Sequence, residues 1–204
     1  MSNKNKNNNS IGQYTEDYLA GAVALLFKLS KEDINKIIER LIELKKRQGR
    51  LFLLGVGGGA ANCSHAVNDF RKICHIESYA PTDNVGELTA RTNDDGWDSV
   101  FVNWLKISQL SKKDAVMVFS VGGGNKEKNI SANIVEALKY AKEKGAGVLG
   151  IVSRDGGYTK KVADACVLIP VIADDKITPY AEAFQAVVWH CIVFHPQLRS
   201  IKPY

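Results

Sequence analysis

Apolar side chains near the N-terminus recur every three or four residues, as they do along one face of an α-helix. Between residues 12 and 29 the recurring positions are Tyr14, Tyr18, Leu19, Val23, Leu26 and Phe27. The same spacing predicts a second amphipathic helix, ending near Gly49, at Ile34, Ile37, Ile38, Leu41, Ile42 and Leu44. Ser30, with Asp33 three residues later, is typical of a helix start. The apolar faces of both helices need partners, and we expect another subunit to supply one.

Further along, the pattern changes to short, continuous apolar runs separated by amphipathic stretches. The predicted strands are residues 51–54, 76–80, 115–120, 147–153 and 165–170. Helices are predicted after the first glycine-rich segment and at residues 100–110, 129–144 and 179–194. Runs that are apolar throughout are typical of strands buried on both faces. The alternation therefore predicts an α/β three-layer sandwich, with a central, mostly parallel sheet flanked by helices.

Two predicted strands run directly into glycine-rich loops that precede predicted helices. The first loop contains Val56, Gly57, Gly58 and Gly59, and the second contains Ser120, Val121, Gly122, Gly123, Gly124 and Asn125. Free N–H groups at a helix start favour an anion, and glycine lets a phosphate approach the backbone. Both loops would meet at the carboxyl ends of the strands, where ligands bind in open α/β sheets. We expect a phosphorylated sugar there, the alternative being ordinary strand-to-helix connections; the motif GxxxxGK[ST] is missing, which excludes a P-loop.

The composition of the chain is typical of a globular protein and argues against several other classes. Of 204 residues, 45% are hydrophobic and 24% charged, as in ordinary globular domains. The polar composition of residues 1–11 predicts a disordered tail, and we expect residues 12–204 to form a single domain. No run is apolar enough for a membrane span and no secretory signal is visible, so we expect a cytoplasmic protein. The net charge of +5 without basic–aromatic alternation argues against nucleic-acid binding. Four cysteines without CxxC spacing predict reduced thiols.

From about residue 12 to residue 195 the chain resembles the sugar isomerase (SIS) domain family, and within it the phosphoheptose isomerases. The resemblance is carried by LGVGGGAANCSHAVNDF, Asn93-Asp94, FSVGGGN, IVSRDGG and the last helix with His190. It implies an SIS/flavodoxin-like fold with an N-terminal helical extension, residues 12–49, that builds a homotetramer with active sites between subunits. It also implies an aldose–ketose isomerase, most specifically one that converts sedoheptulose 7-phosphate to D-glycero-heptose 7-phosphate through an enediol.

The resemblance implies which residues bind the substrate. Residues 56–59 stand where the family has Asn-Gly-Gly-Ser, so the glycines are kept and two polar side chains are lost. In the second loop Ser120 and Asn125 match the family pattern, with one residue inserted between them. Asn93 and Asp94 match a substrate-binding pair directly. Phosphate contacts would then depend more on backbone N–H groups, and on Lys126.

The resemblance further implies a divalent metal, with zinc as the first candidate. On the helix that follows the first glycine-rich loop, the matching residues are His65 and Asp69. They are four residues apart and share one face, and Asp69 stands where the family has Glu. On the last helix Glu182 and His190 have the family's spacing of eight. The implied metal set is His65, Asp69, Glu182 and His190. Asp69 is the candidate base, Glu182 its substitute and His190 the candidate acid. The other register, with Gln185 as the site residue, would align Val193 with the histidine and abolish the site.

Other readings of these residues are open at this stage. His190 lies in an apolar stretch and is compatible with a core histidine, and His65 with a helix surface. Three tryptophans, Trp97, Trp104 and Trp189, are assigned to packing. The competing functions are a non-catalytic SIS protein that binds a sugar phosphate or a protein partner, and an isomerase acting on another phosphosugar.

Overall fold

The computed structural model of the protein describes residues 11–201. The tail predicted for residues 1–11 therefore lies outside the described residues, apart from Ile11, which begins the first helix. The helices are α1 (Ile11–Lys28), α2 (Lys31–Lys46), α3 (Gly58–Lys72), α4 (Val85–Asp95), α5 (Val100–Ile107), α6 (Ala132–Glu143), α7 (Gly157–Val162) and α8 (Ile177–Val193). The strands are β1 (Leu51–Gly55), β2 (Ser78–Tyr79), β3 (Ala115–Ser120), β4 (Gly147–Ser153) and β5 (Ala165–Ile169).

The strands form one sheet in the order β2-β1-β3-β4-β5, and every pair of neighbours is parallel. Helices cover both faces, so the predicted α/β three-layer fold is confirmed. The chain adds β2 on one side of β1 and then β3, β4 and β5 on the other side, so the switch point lies between β1 and β3. Ligands of doubly wound sheets bind at such a switch point. Gly55 and Ser120, the last residues of β1 and β3, lead into the two glycine-rich loops at that point.

The strands β1, β3, β4 and β5 send alternate side chains into two separate hydrophobic cores, as a pleated strand does. From β1, Leu53 enters the core beneath α2, α3 and α8, while Phe52 and Leu54 enter the core beneath α5 and α6. The first core also holds Trp189 of α8 and Phe119 of β3. The helices that carry the predicted chemistry, α3 and α8, are thus anchored side by side on the same face of the sheet.

Helix α1 differs from the others because most of its apolar side chains are exposed. Leu25 is fully buried, but Leu19, Val23, Leu26 and Phe27 are between 51% and 87% exposed. The start of α2 follows the sequence prediction, since Ser30 Oγ accepts a hydrogen bond from the Asp33 N–H at 3.1 Å. Among residues 11–201, no helix has both the length and the apolar character that a membrane crossing requires.

Two helix predictions need correction. The helix predicted from residue 129 begins at Ala132, because residues 125–130 form a turn closed by an antiparallel bridge between Asn125 and Ile130. Ser131 then adopts a left-handed conformation, with φ of 49°, which separates the turn from α6. Helix α7 was not predicted, since it spans six residues and lacks an apolar period.

Candidate active site

Helices α3 and α8 run parallel and bring the predicted chemistry together along their line of contact. Asn62 of α3 donates to the Glu182 backbone oxygen at 2.9 Å and to Gln185 Oε1 at 2.8 Å. About two turns further along, Asp69 of α3 meets Trp189 and His190 of α8. Residues further along α3 therefore contact residues further along α8, as expected for two helices that run in the same direction.

The centre of this contact is a cluster of His65, Asp69 and His190, which we call the His–Asp–His triad. Asp69 Oδ2 lies 3.5 Å from His65 Nε2 and 3.3 Å from His190 Nε2. One ligand atom from each residue lies within 4.8 Å of the others. Asp69 is 6% exposed, whereas the side chains of His65 and His190 are 55% and 41% exposed. The triad is therefore closed on the side of the core and open on the side of the solvent.

The hydrogen bond at the far side of the His190 ring fixes which nitrogen faces the triad. Nδ1 lies 2.8 Å from the Ala186 backbone oxygen. A carbonyl oxygen only accepts, so Nδ1 carries the proton and Nε2 of the neutral ring keeps its lone pair for the triad. A carbonyl partner on the second nitrogen is the usual arrangement of a metal-binding histidine.

The triad fits a divalent metal such as zinc. A tetrahedral ion with bonds of about 2.0–2.1 Å separates its ligand atoms by roughly 3.3 Å, close to the two distances measured from Asp69 Oδ2. Two imidazoles and one carboxylate are also a typical ligand set of catalytic zinc, which keeps a fourth position open. The exposed side of the triad offers room for that position.

Glu182 does not join the triad, which differs from the four-residue set expected from the sequence. A spacing of eight residues separates Glu182 from His190 by about 12 Å along the axis of α8. The Glu182 carboxylate lies beside Gly58, where a methyl group would collide with it. It makes no hydrogen bond or ion pair with the other residues of 11–201. Gln185 is fully buried and bonded to Asn62, so it is a core residue and not an alternative site residue.

A second feature, a cleft of about 640 Å³, opens at the carboxyl ends of the strands. Its walls include six residues of the predicted substrate-binding set, namely Val56, Gly59, Ser120, Val121, Gly122 and Asn125. Thr178, at the start of α8, closes one side. Since Glu182 lies one turn after Thr178, α8 connects the cleft to Glu182 and then to the triad.

The remaining glycines of the two loops do not line this cleft. Gly123 and Gly124 pack behind the second loop, where their carbonyl oxygens accept from the backbone N–H groups of Thr159 and Tyr158 at 2.9 and 2.8 Å. Gly57 precedes α3 with φ of 59°, and Gly58 faces Glu182. Gly123 thus permits close packing against backbone and Gly57 a positive φ, and only part of each loop faces the cleft.

Asn93 and Asp94 are not brought to the cleft or to the triad. Both are exposed on α4, and the Asn93 amide donates to the Asp94 carboxylate at 2.8 Å. Neither contributes to the walls of the cleft, so their predicted role in substrate binding has no support in the geometry of this chain alone.

Two basic residues of the cleft were not among the residues predicted from the sequence. Arg154 follows β4 directly and adopts a left-handed conformation with φ of 56°. Lys128 lies in the turn between the second loop and α6. Arg154 sits at the carboxyl end of a predicted strand, which was a usable signal, because ligands of α/β sheets bind at that edge. Lys126, the predicted phosphate contact, is instead ion-paired with Glu136 at 2.7 Å.

The cysteines take no part in either feature. Burial raises the pKa of the Cys74 thiol to about 12 and that of Cys166 to about 11. Burial also raises the pKa of Cys63, which lies on α3 with its side chain in the core. These three thiols are therefore protonated near neutral pH and are poor nucleophiles.

The chain is similar to known proteins in both sequence and structure. A family model described as SIS domain matches residues 16–153. The lincomycin biosynthesis protein LmbN of Streptomyces lincolnensis is 30% identical over 156 residues, 72% of this chain and 56% of that protein. A phosphoheptose isomerase of Aneurinibacillus thermoaerophilus is 28% identical over 190 residues, 85% of this chain and 90% of that protein. The structure of phosphoheptose isomerase GmhA from Neisseria gonorrhoeae has a TM-score of 0.78 at 23% identity, covering 90% of this chain and 98% of that one. This last likeness concerns the fold.

Proposed function

The chain belongs to the SIS domain family, and we propose that it is an isomerase that interconverts the aldose and ketose forms of a phosphorylated sugar. The single observation that carries the proposal is the His–Asp–His triad, set at one end of a line of contact whose other end opens into the cleft. Relatives named phosphoheptose isomerase support sedoheptulose 7-phosphate as the substrate and D-glycero-heptose 7-phosphate as the product.

In this proposal the cleft binds the phosphate group. Arg154 and Lys128 supply positive charge, and Ser120 and Thr178 supply hydroxyl groups. Hydrogen bonds between a guanidinium and a phosphate are strong and directional. Binding the phosphate at a distance from the reacting carbons provides energy that orients the sugar toward α8. Asn125, Val121 and the first residues of the glycine loops complete the walls.

Aldose–ketose isomerisation moves a proton between two adjacent carbons through an enediol. The Glu182 carboxylate is the best placed base, because it lies between the cleft and the triad and has no partner among the described residues. It would take the proton from the carbon beside the carbonyl and deliver a proton to the former carbonyl carbon, while solvent protonates the former carbonyl oxygen and accepts the proton of the neighbouring hydroxyl. Asp69 is nearly buried and bonded to Trp189, so we assign it to metal binding and not to proton transfer.

We assign His190 to metal binding as well. With Nδ1 committed to the Ala186 oxygen, the ring has one free nitrogen, and that nitrogen faces Asp69. A single nitrogen cannot bind a metal and donate a proton at the same time. His65, Asp69 and His190 would hold a zinc ion, which would supply Lewis acidity that stabilises negative charge on a substrate oxygen.

We also propose that residues 12–204 act as one SIS domain and that α1 joins copies of it, in a homotetramer. The support is the outward face of α1, where Leu19, Val23, Leu26 and Phe27 are more than half exposed. A stripe of large apolar side chains of this kind marks an interaction surface. Light scattering should show dissociation in Leu19→Lys/Phe27→Lys, whereas Lys28→Glu, which leaves this face intact, should stay assembled. A wild-type monomer would contradict this assembly.

Turnover of sedoheptulose 7-phosphate tests the activity. The protein is stripped of metal with a chelator and assayed for aldose formation before and after zinc is restored. We expect turnover with zinc in the wild type and its loss in His65→Ala and His190→Ala. The control variant His75→Asn, which changes a histidine outside the triad, should retain turnover. A folded protein that binds the sugar phosphate without turnover in any metal condition would favour the non-catalytic SIS protein.

A further inference from the structure

Trp189 connects the His–Asp–His triad to the hydrophobic core. Its side chain is 1% exposed and stacks on Phe119 of β3, with ring centroids 5.6 Å apart and planes 14° from parallel. From this fixed position the indole Nε1–H donates to Asp69 Oδ2 at 3.1 Å. A buried aromatic ring thus directs one hydrogen bond at the oxygen that faces both histidines.

Without that bond the Asp69 carboxylate would have little to hold it. Its other oxygen, Oδ1, accepts only from the neighbouring Asn68 amide at 3.2 Å among the described residues. Both histidines approach Oδ2 at more than 3.2 Å, and each must leave its Nε2 lone pair free to bind a metal. The indole N–H is therefore the one fixed donor, and it leaves the second lone pair of Oδ2 available.

We propose that Trp189 is a positioning residue, which holds the Asp69 carboxylate in the orientation that lets the triad bind a metal. The inference rests on the metal site of the proposed function. The indole does not touch the metal or the substrate; it acts through Asp69. An aromatic ring that only filled the core would need no N–H group beside Asp69. The observed hydrogen bond instead joins the indole N–H to Asp69 Oδ2, the oxygen that faces both histidines.

Zinc affinity of the apoprotein tests this role without any substrate. Trp189→Phe keeps an aromatic ring against Phe119 but removes the N–H, and Phe119→Leu is the matched control that weakens the stacking and keeps the N–H. With competition against a chromophoric chelator as the readout, we expect roughly tenfold to hundredfold weaker zinc binding in Trp189→Phe, the usual effect of losing a partner of a metal ligand. The affinity of Phe119→Leu should stay within about threefold of the wild type.

The indole N–H resonances of the unmodified protein give a second test, which stands even if Trp189→Phe does not fold. The sequence has three tryptophans, so Trp97→Phe and Trp104→Phe assign the third signal by elimination. We expect the Trp189 signal to shift when zinc is added, while the Trp97 and Trp104 signals stay in place. An unmoved Trp189 signal in a protein that binds zinc, or equal affinity in folded Trp189→Phe, overturns the positioning role alone. Absence of zinc binding by the wild type overturns the metal site together with it.

Discussion

The two glycine-rich loops look alike in the sequence, yet they meet different surroundings. In the first, Gly59 packs against the Phe119 carbonyl and Gly58 faces the carboxylate of Glu182, so the start of α3 already has an anionic neighbour from its own chain. In the second, Gly123 is packed against the Gly156 carbonyl, and Gly122 faces open space beside Arg154. The first loop thus lies beside Glu182, the proposed base, and the second lies beside Arg154, the proposed phosphate contact.

This difference teaches that a glycine-rich loop does not identify its own role. Glycine permits close approach, but the approaching group decides what the loop does. A carboxylate beside the first loop would repel a phosphate there, whereas the arginine beside the second would attract one. Four variants test this difference between the loops: Glu182→Gln should have the greatest effect, followed by Gly123→Ala, Arg154→Ala and Lys128→Ala.

Glu182→Gln tests the chemical role of the first loop. The change keeps the shape of the side chain beside Gly58 but removes its capacity to take a proton. We expect kcat to fall by about 10²- to 10⁴-fold, the usual contribution of a general base, with KM little changed. Steady-state kinetics measures both, with Glu39→Gln on the exposed face of α2 as the control. A loss confined to KM would instead assign Glu182 to substrate binding.

Gly123→Ala tests the packing of the second loop. Its φ of 69° is unfavourable for alanine, and the new methyl group would collide with the backbone of Gly156. We expect the free energy of unfolding to fall by about 3 kcal/mol in denaturant titrations. Gly122→Ala is the matched control, because its methyl group would meet only the Arg154 side chain, at 3.9 Å. Equal stabilities for the two variants would show that the loop is not packed in this way.

Arg154→Ala tests whether the second loop binds the anion. Loss of a guanidinium–phosphate contact should raise KM roughly tenfold and leave kcat within a few-fold. Inhibition by inorganic phosphate should weaken by a similar factor, which ties the effect to the phosphate and not to the sugar. If KM and phosphate inhibition are both unchanged, the anion binds elsewhere, and the contrast between the loops fails.

Lys128→Ala should have the smallest effect. Lys128 and Arg154 are both exposed, but the Lys128 ammonium is a point charge on a flexible stem and lacks the planar fork with which a guanidinium binds phosphate. We expect KM to rise by less than about threefold, and the increase to disappear at high ionic strength. A tenfold rise that persists in salt would mean that Lys128, and not Arg154, is the main phosphate contact.

Much of the fold could be predicted from the sequence because the strands are apolar throughout. The predicted bounds of β3 and β4 coincide with those in the structure, since both apolar runs end at a serine that precedes a segment rich in glycine. The start of α6 was missed because the left-handed Ser131 and the turn before it leave no periodic signal. Short elements such as α7 depend on contacts made after folding.

The site was less predictable, because it depends on distances between elements. His65 and Asp69 are one turn apart on α3, and sequence spacing alone suggests a shared face. The resemblance to the family grouped Glu182 with His190, although about two turns of helix separate the two residues. Trp189 was assigned to packing, because the direction of an indole N–H cannot be read from a sequence.

Isomerisation of sedoheptulose 7-phosphate in D₂O, followed by NMR with zinc present, tests whether the protein catalyses proton transfer between the two carbons. Proton transfer through an enediol exposes the migrating proton to solvent, so we expect product that carries deuterium on the carbon that received the proton. His190→Ala and Glu182→Gln should abolish both product and exchange. Product formed by Glu182→Gln at the wild-type rate would contradict proton transfer by Glu182, and no product or exchange with any divalent metal would contradict the assignment of an isomerase.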